Sequence, residues 1–271
     1  MPKVSIIMVS KNGSHLIGHA MESVFRQAFR DFEFIIIDDG STDGTESVVK
    51  SFRDPRVVFV KNELSRGLTK CLNQGLALAK GEYVARIDDD DAWVSVEKLG
   101  KQVAYLDGHR GCVLVGTWTI VIAPDGAELY RVMHPESDGA IRGQMLFSNP
   151  FTHSSVLFCK DAAVRIGGYD EKYLYVQDHD MWMRLGAIGT LANLARFDVT
   201  WRTPDRAKKQ NRAKKQAVIL DIIWRNRFAY PHFGHAYSKA FLKWLVFLVF
   251  PKPNAAERWI GQLRRRILPG F

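Results

Sequence analysis

Short runs of β-branched and aliphatic residues recur along the first ninety positions, and stretches with apolar residues at helical spacing separate them. Residues 4–9 form the first run, and the turn-rich loop Lys11, Asn12, Gly13, Ser14 divides it from an amphipathic stretch over 17–27. Further runs at 34–37, 57–60 and 83–87 predict three more strands, and the patterns at 45–52 and 68–79 predict two more helices. Gly81 stands just past the last of these helices and reads as its stop signal. Strand and helix alternate throughout. That order predicts an α/β fold with a mostly parallel (mixed) sheet flanked by helices.

The acidic residues fall where such a fold binds ligands. Asp38 and Asp39 follow the second strand, and Asp88, Asp89, Asp90 and Asp91 follow the fourth. In open parallel sheets the ligand crevice lies beyond the carboxyl ends of the strands. Two carboxylate clusters in one crevice repel each other unless a cation or a donor-rich ligand joins them. Oxygen-only ligands favour a hard divalent cation, Mn²⁺ or Mg²⁺, bridging to phosphate oxygens. No Gly-x-Gly-x-x-Gly follows the first strand and no Gly-Lys-Ser/Thr occurs there, which excludes the ordinary dinucleotide and P-loop readings. Taken singly, Asp38 to Ser41 reads as a tight turn with an Asx cap. His153 reads as a structural histidine or as part of an acceptor cleft, Asp180 as a salt-bridge partner of Arg184 four residues on, and Trp182 as core. Trp93 and Trp118 are candidates for stacking on an acceptor.

Composition narrows the class. The chain has 271 residues, 46% hydrophobic and 25% charged, which excludes a disordered, collagen-like or disulfide-scaffold protein. Cys71, Cys112 and Cys159 are too scattered for a zinc cluster, and they suit a reducing cytoplasm. The first residues show no apolar h-region, so a cytoplasmic location is expected.

The net charge of +9 is uneven. Residues 196–271 hold 17 Lys and Arg against 4 Asp and Glu, whereas the first 195 residues hold 21 against 25. A basic tail on a nearly neutral body points to an anionic partner. Residues 206–216 are rich in Lys and Arg, 218–224 are apolar at helical spacing, and 241–250 are almost wholly apolar and end at Pro251. That last run is too short to span a bilayer. It suits an interfacial anchor on an anionic membrane surface, peripheral on the inner face of the cell membrane. A helical hairpin packed on the body, or a dimer contact, is the alternative. The tail shows no recognition-helix or zinc-finger pattern, so nucleic acid is not expected.

Several strings together resemble the family 2 glycosyltransferases of the GT-A fold. They are Val4 to Val9, Ile35 to Thr45 with its Asp38, Asp39, Gly40, Ser41, Thr42, Asp43, and Gly81 to Asp91. Asn62 with Gly67, Leu68, Leu72 and Asn73 also matches, as do Asn149, Pro150, Phe151 with His153, Ser154, Ser155, then Gly167 to Glu171 and Gln177 to Arg184. The resemblance covers roughly residues 3–205. It implies a nucleotide-sugar glycosyltransferase domain over 1–205, with a nucleotide-binding half at 1–110 and an acceptor half at 111–205. A basic, amphipathic, helical C-terminal region follows at 206–271.

By that resemblance Val9 and Ser10 close over a uracil base, and Asp39 accepts from its N–H. Asp88 and Asp89 face the ribose and phosphates, Asp90 holds the divalent cation, and Asp178 is the general base. The implied reaction moves a sugar from a UDP-sugar to a hydroxyl of a glycan or lipid-linked acceptor, with inversion, in cell-surface polysaccharide biosynthesis. Three departures stand out. The metal pattern is four Asp in a row, so Asp89 and Asp91 read either as ligands or as solvated neighbours. Ser10, Lys11, Asn12 replace the family's usual Thr-Tyr-Asn, and Gln177 replaces the common Glu before the base. The rival class is a nucleic-acid- or membrane-binding protein that uses the basic tail, its acidic clusters being structural. A sugar nucleotidylyltransferase is a nearer rival, but its Gly-rich N-terminal loop is absent.

Overall fold

The strand Val4–Ser10 (β1) and the strand Phe32–Asp38 (β2) are buried at every position, as parallel strands covered by helices on both faces must be. They are joined by the helix Ile17–Phe25 (α1). The helix Thr45–Ser51 (α2) leads to Val57–Lys61 (β3), and the helix Leu68–Leu78 (α3) leads to Tyr83–Arg86 (β4). β1 pairs in parallel with β2 on one side and β4 on the other, and β2 pairs in parallel with β3. The chain therefore grows outward from β1 in one direction and then in the other. The carboxyl end of β1 is a topological switch point. One face of these strands (Ile6, Met8, Phe34, Ile36) packs on Ile17, Met21 and Val24 of α1. Apolar burial there is the main driving force for this half of the fold.

The computed structural model describes residues 1–203 and 212–249. After β4 come Ala92–Trp93 (β5), Lys98–Gly108 (α4), Cys112–Ile122 (β6), Glu128–Val132 (β7) and Asp138–Met145 (α5). A single 3-10 turn at His153–Ser155 precedes Leu157–Cys159 (β8), Lys160–Arg165 (α6), Gln177–Gly186 (α7) and Thr190–Arg202 (β9). The sheet order is β3-β2-β1-β4-β8-β6-β9-β5, with β7 beside β6. β8 runs antiparallel to both β4 and β6, whereas β6 and β9 are parallel. The sheet is thus parallel over its N-terminal half and mixed beyond it.

Three local details depart from the pattern along the chain. β2 begins at Phe32 rather than 34, because the intervening Glu33 is buried and paired: its carboxylate accepts from Ser5 Oγ at 2.7 Å and from the Lys80 amide at 2.7 Å. α1 ends at Phe25 rather than 27, and the buried Gln27 instead bridges to the Ser95 carbonyl and the Leu99 amide. Gly81 does not stop α3, whose C-cap is Ala79. It is glycine because the β1 backbone passes against it. A Cβ there would lie 2.5 Å from the Ser5 nitrogen, and the Gly81 amide donates to Ser5 Oγ at 2.8 Å.

The chain divides into two units, Met1–Asp205 and Arg206–Phe271. In the second, Arg212–Arg225 (α8) and Phe233–Val249 (α9) form an antiparallel hairpin. Gln216 Nε2 donates to the Ala240 carbonyl at 3.2 Å, and the Trp224 ring lies 5.8 Å from Phe233 and 5.7 Å from Tyr237. The basic run at 206–211 and the end of the apolar run at Phe250 and Pro251 lie outside the described residues. No helix among the described residues is long and apolar enough to cross a membrane.

Candidate active site at the strand ends

Four carboxylates follow β4 and meet four different environments. Asp88 pairs with the guanidinium of Arg86, a residue buried inside β4. Its amide donates to Ser154 Oγ at 2.9 Å. Burial pushes the Asp88 carboxyl up, but Arg86, His153 and the Ser154 hydroxyl outweigh it and hold the group below its ordinary range. Asp89 accepts from Ser10 Oγ at 2.5 Å, which ties the β4 end to the β1 end. Burial keeps it above its ordinary value nonetheless. Gly13 faces this contact, and a Cβ there would collide with the Asp89 carboxylate and with Ser10 Oγ.

Asp90 is pushed up to about 7, first by burial and then by the charges of Asp88 and Asp89. Its opposing influences are its own amide and the charge of Arg202. Asp91 is 2% exposed, so it is not a solvated neighbour. It accepts from Ser154 Oγ and, at 2.8 Å, from the Arg202 amide, and it fastens this loop to β9. Among the described residues, no group of three or more His, Cys, Asp or Glu is arranged to hold a metal ion alone. Asp90 nevertheless fits one oxygen ligand of a hard cation. It is a desolvated carboxylate under like-charge pressure, and a diphosphate would have to supply the remaining ligands.

At the β2 end the two aspartates divide their work. Asp38 Oδ1 accepts from the Ser41 amide at 2.8 Å, the Asx turn legible in the sequence. Asp39 is 3% exposed, and its carboxylate gathers the segment 65–71 around itself. Oδ1 accepts from the Arg66 amide at 2.6 Å and Cys71 Sγ at 3.1 Å, and Oδ2 accepts from Ser65 Oγ at 2.7 Å and the Gly67 amide at 3.1 Å. Burial raises this carboxyl, but the hydrogen bonds prevail and lower it. Burial and the bond to Asp39 push the Cys71 thiol up to about 12, so it stays protonated as a donor.

Asp178 arrives from the other half of the unit, in the first turn of α7. Its charge and that of Asp88 both bear on His153 and on Tyr169, so the base candidate and the acidic cluster lie near one buried pair. His153 Nε2 and Tyr169 Oη lie 3.0 Å apart. Burial, helped by Arg86, pushes His153 down to about 4, which makes it a neutral structural histidine. Trp182 is fully buried against Phe151, Phe158, His153 and Tyr169. Asp180 pairs with Arg184, whose Nε donates to it at 2.8 Å.

Trp93 is not available for stacking on an acceptor. It is 2% exposed, and its Nε1 donates to the Ser154 carbonyl at 2.9 Å. Trp118 is half-buried beside Phe197 at 5.1 Å. Three contributors escaped assignment from sequence: Arg86, Ser154 and Asn149, whose Nδ2 donates to Asp178 Oδ2 at 2.8 Å. Arg86 left a signal, since an arginine inside an apolar strand is rarely buried without a carboxylate partner.

Comparisons with known proteins identify the family and the fold. A family model described as glycosyl transferase family 2 matches residues 5–160. The Escherichia coli protein named UDP-Glc:alpha-D-GlcNAc-diphosphoundecaprenol beta-1,3-glucosyltransferase WfaP is 36% identical over 237 residues, 82% of this chain and 87% of that one. S. aureus TarS 1-349, solved in complex with UDP-GlcNAc, superposes with a TM-score of 0.72 at 18% identity, covering 96% of this chain and 79% of that one. Mannosyltransferase PcManGT from Pyrobaculum calidifontis, solved with GDP-Man and Mn²⁺, gives 0.66 at 19% identity over 99% and 81%. The fold is that of the GT-A glycosyltransferases. With its acidic cluster at the switch point and a family match over more than half its length, this chain belongs to glycosyl transferase family 2 and is a glycosyltransferase.

Proposed function

We propose that the protein transfers a sugar from a UDP-sugar to a hydroxyl of a lipid-linked glycan acceptor, with inversion, in cell-surface polysaccharide assembly. The observation that carries this reading is that the charges of Asp178 and Asp88 both reach the buried pair of His153 and Tyr169, which are 3.0 Å apart. A carboxylate for the acceptor proton and a cluster for the diphosphate then share one crevice. The UDP complex of TarS and the lipid-linked acceptor in the name of WfaP support the substrate classes. A divalent cation on Asp90, in keeping with the Mn²⁺ in PcManGT, would offset the charge that develops on the departing diphosphate. Asp88 and Asp89 face ribose and phosphates, and Val9 and Ser10 close over the base. A screen of UDP-glucose, UDP-GlcNAc and GDP-mannose with Mn²⁺ and a polyprenyl-diphosphate-linked GlcNAc acceptor tests the reading. Transfer from a UDP-sugar is expected, and exclusive use of GDP-mannose would overturn the uracil assignment.

Asp39 is the proposed partner of the base N–H. Both of its oxygens already hold donors of the segment 65–71, so the base takes its place as the Ser65 hydroxyl, a freely rotating donor, turns away from Oδ2. Asp39→Ala is expected to weaken UDP binding by about 1–3 kcal/mol, the typical cost of losing a charged hydrogen-bond partner. Calorimetry showing parental affinity would move the base site elsewhere.

The second unit is proposed as a peripheral membrane contact on the cytoplasmic face. Phe241, Leu242, Leu245, Leu248 and Val249 are exposed along one stripe of α9. Residues 212–249 carry seven Lys and Arg against one Asp. Burial and the charges of Lys215, Lys239 and Arg212 lower the Lys243 ammonium, as expected of crowded cations. An apolar stripe beside cations suits the surface of an anionic leaflet. In co-sedimentation with phosphatidylglycerol vesicles, the double variant Leu242→Glu, Leu245→Glu is expected to stay in the supernatant while the parent pellets. Equal pelleting of the two would rule out this face as the contact.

A further inference from the structure

Asp178 follows Val176, a β-branched residue held at φ 63° and ψ 17° as the N-cap of α7. Left-handed backbone is costly for valine, and such strain persists where surrounding contacts over-determine it. Here the Val176 carbonyl accepts from the Asp180 amide at 3.1 Å and closes the first turn around Asp178. From outside the helix, Asn149 Nδ2 donates to Asp178 Oδ2 at 2.8 Å. The orientation of that amide is determined. Asn149 Oδ1 accepts from the Phe151 amide at 3.2 Å, so the donor end must face the carboxylate. Among the described residues no hydrogen-bond donor reaches Asp178 Oδ1.

We infer that Asn149 is the positioning residue of the general base. It occupies Oδ2, sets the plane of the carboxylate and leaves Oδ1 to receive the acceptor proton. The inference rests on the assignment of Asp178 as that base. In the step itself the acceptor oxygen bonds to the anomeric carbon as the bond from that carbon to the diphosphate oxygen breaks. The electron pair leaves with UDP, and the hydroxyl proton passes to Asp178 Oδ1.

The other groups around Asp178 do not reproduce this control near neutral pH. His153 is pushed down to about 4 by burial, and Tyr169 is pushed far up by burial, so both stay neutral there. Arg86 and Asp88 are paired with each other. On α7 itself, His179 is pushed down to about 4 by burial and contacts the Met145 carbonyl, and Asp180 is paired with Arg184. Among the described residues, Asn149 is the side chain that hydrogen-bonds the carboxylate.

Asn149→Asp keeps the shape and the acceptor for Phe151 but replaces the donor with a second carboxylate. The pair should then share a proton, moving the acid limb of the kcat–pH profile up by about one unit or more. The KM for the UDP-sugar should stay within about twofold of the parent, since the change lies on the acceptor side. Asn149→Ser, which retains an acceptor for Phe151 but cannot reach Asp178, should lower kcat about tenfold or more with the same unchanged KM. It serves if the aspartate variant fails to fold, as judged by UDP-dependent thermal stabilisation. A folded variant with the parental kcat–pH profile overturns the inference. An inactive Asp178→Asn beside parental Asn149 variants overturns the positioning role alone, whereas an active Asp178→Asn overturns the base assignment with it.

Discussion

Asp178→Asn is expected to lower transfer by roughly 10²–10⁴-fold, the usual contribution of a positioned general base. UDP affinity should remain near the parental value, because Asp178 hydrogen-bonds Asn149 and no member of the acidic cluster proposed to face the diphosphate. The substitution keeps the size of the side chain, so a lost rate with retained binding isolates the proton transfer. A single displacement needs one base opposite the leaving group and no second carboxylate, and an α-UDP-sugar should therefore yield a β-linked product. Retention of the α configuration by NMR, or a parental rate for Asp178→Asn, would remove the single-displacement mechanism.

Asp90→Ala should abolish the dependence of UDP binding on Mn²⁺ and weaken binding in its presence by at least tenfold. Four consecutive aspartates would otherwise repel a diphosphate, and a bound cation inverts that electrostatic logic. Asp88 is committed to Arg86, Asp89 to Ser10, and Asp91 to Ser154 and the Arg202 amide. Asp90 is the member of the run that none of these bonds engages, and burial first, then the charges of Asp88 and Asp89, holds it near 7. Calorimetric titration of UDP with and without Mn²⁺ checks the outcome. If Asp90→Ala binds UDP and Mn²⁺ as tightly as the parent, the cation lies elsewhere.

These two expectations draw on different layers of information. The roles proposed for Asp90 and Asp178 come from a family resemblance that can be read along the chain. The reason to single out Asp90 from its neighbours comes from packing. In sequence Asp88 to Asp91 are four equal letters. Folding sets one against a buried arginine, one against a serine at the end of β1, and one under a strand on the far side of the sheet. Asp39 shows the same division. Its place after β2 was legible, but the segment 65–71 that wraps its carboxylate is 26 or more residues away and carries no periodic signal toward it.

Local pattern by itself determined the alternation of strands and helices over residues 4–87, the placement of both acidic clusters at strand ends, and the amphipathic character of the C-terminal helices. Those properties depend on side-chain period and on turn chemistry, which neighbouring residues encode. Only the tertiary structure decided the antiparallel insertion of β8 between β4 and β6, the burial of Trp93, and the close approach that makes Gly81 a glycine. The pairing of Asn149 with Asp178 belongs to the same group. Each depends on partners far apart along the chain. Such contacts are selected by burial and hydrogen-bond satisfaction in the assembled core, where an unpaired polar group or a misplaced Cβ is costly, and local propensity carries no record of them.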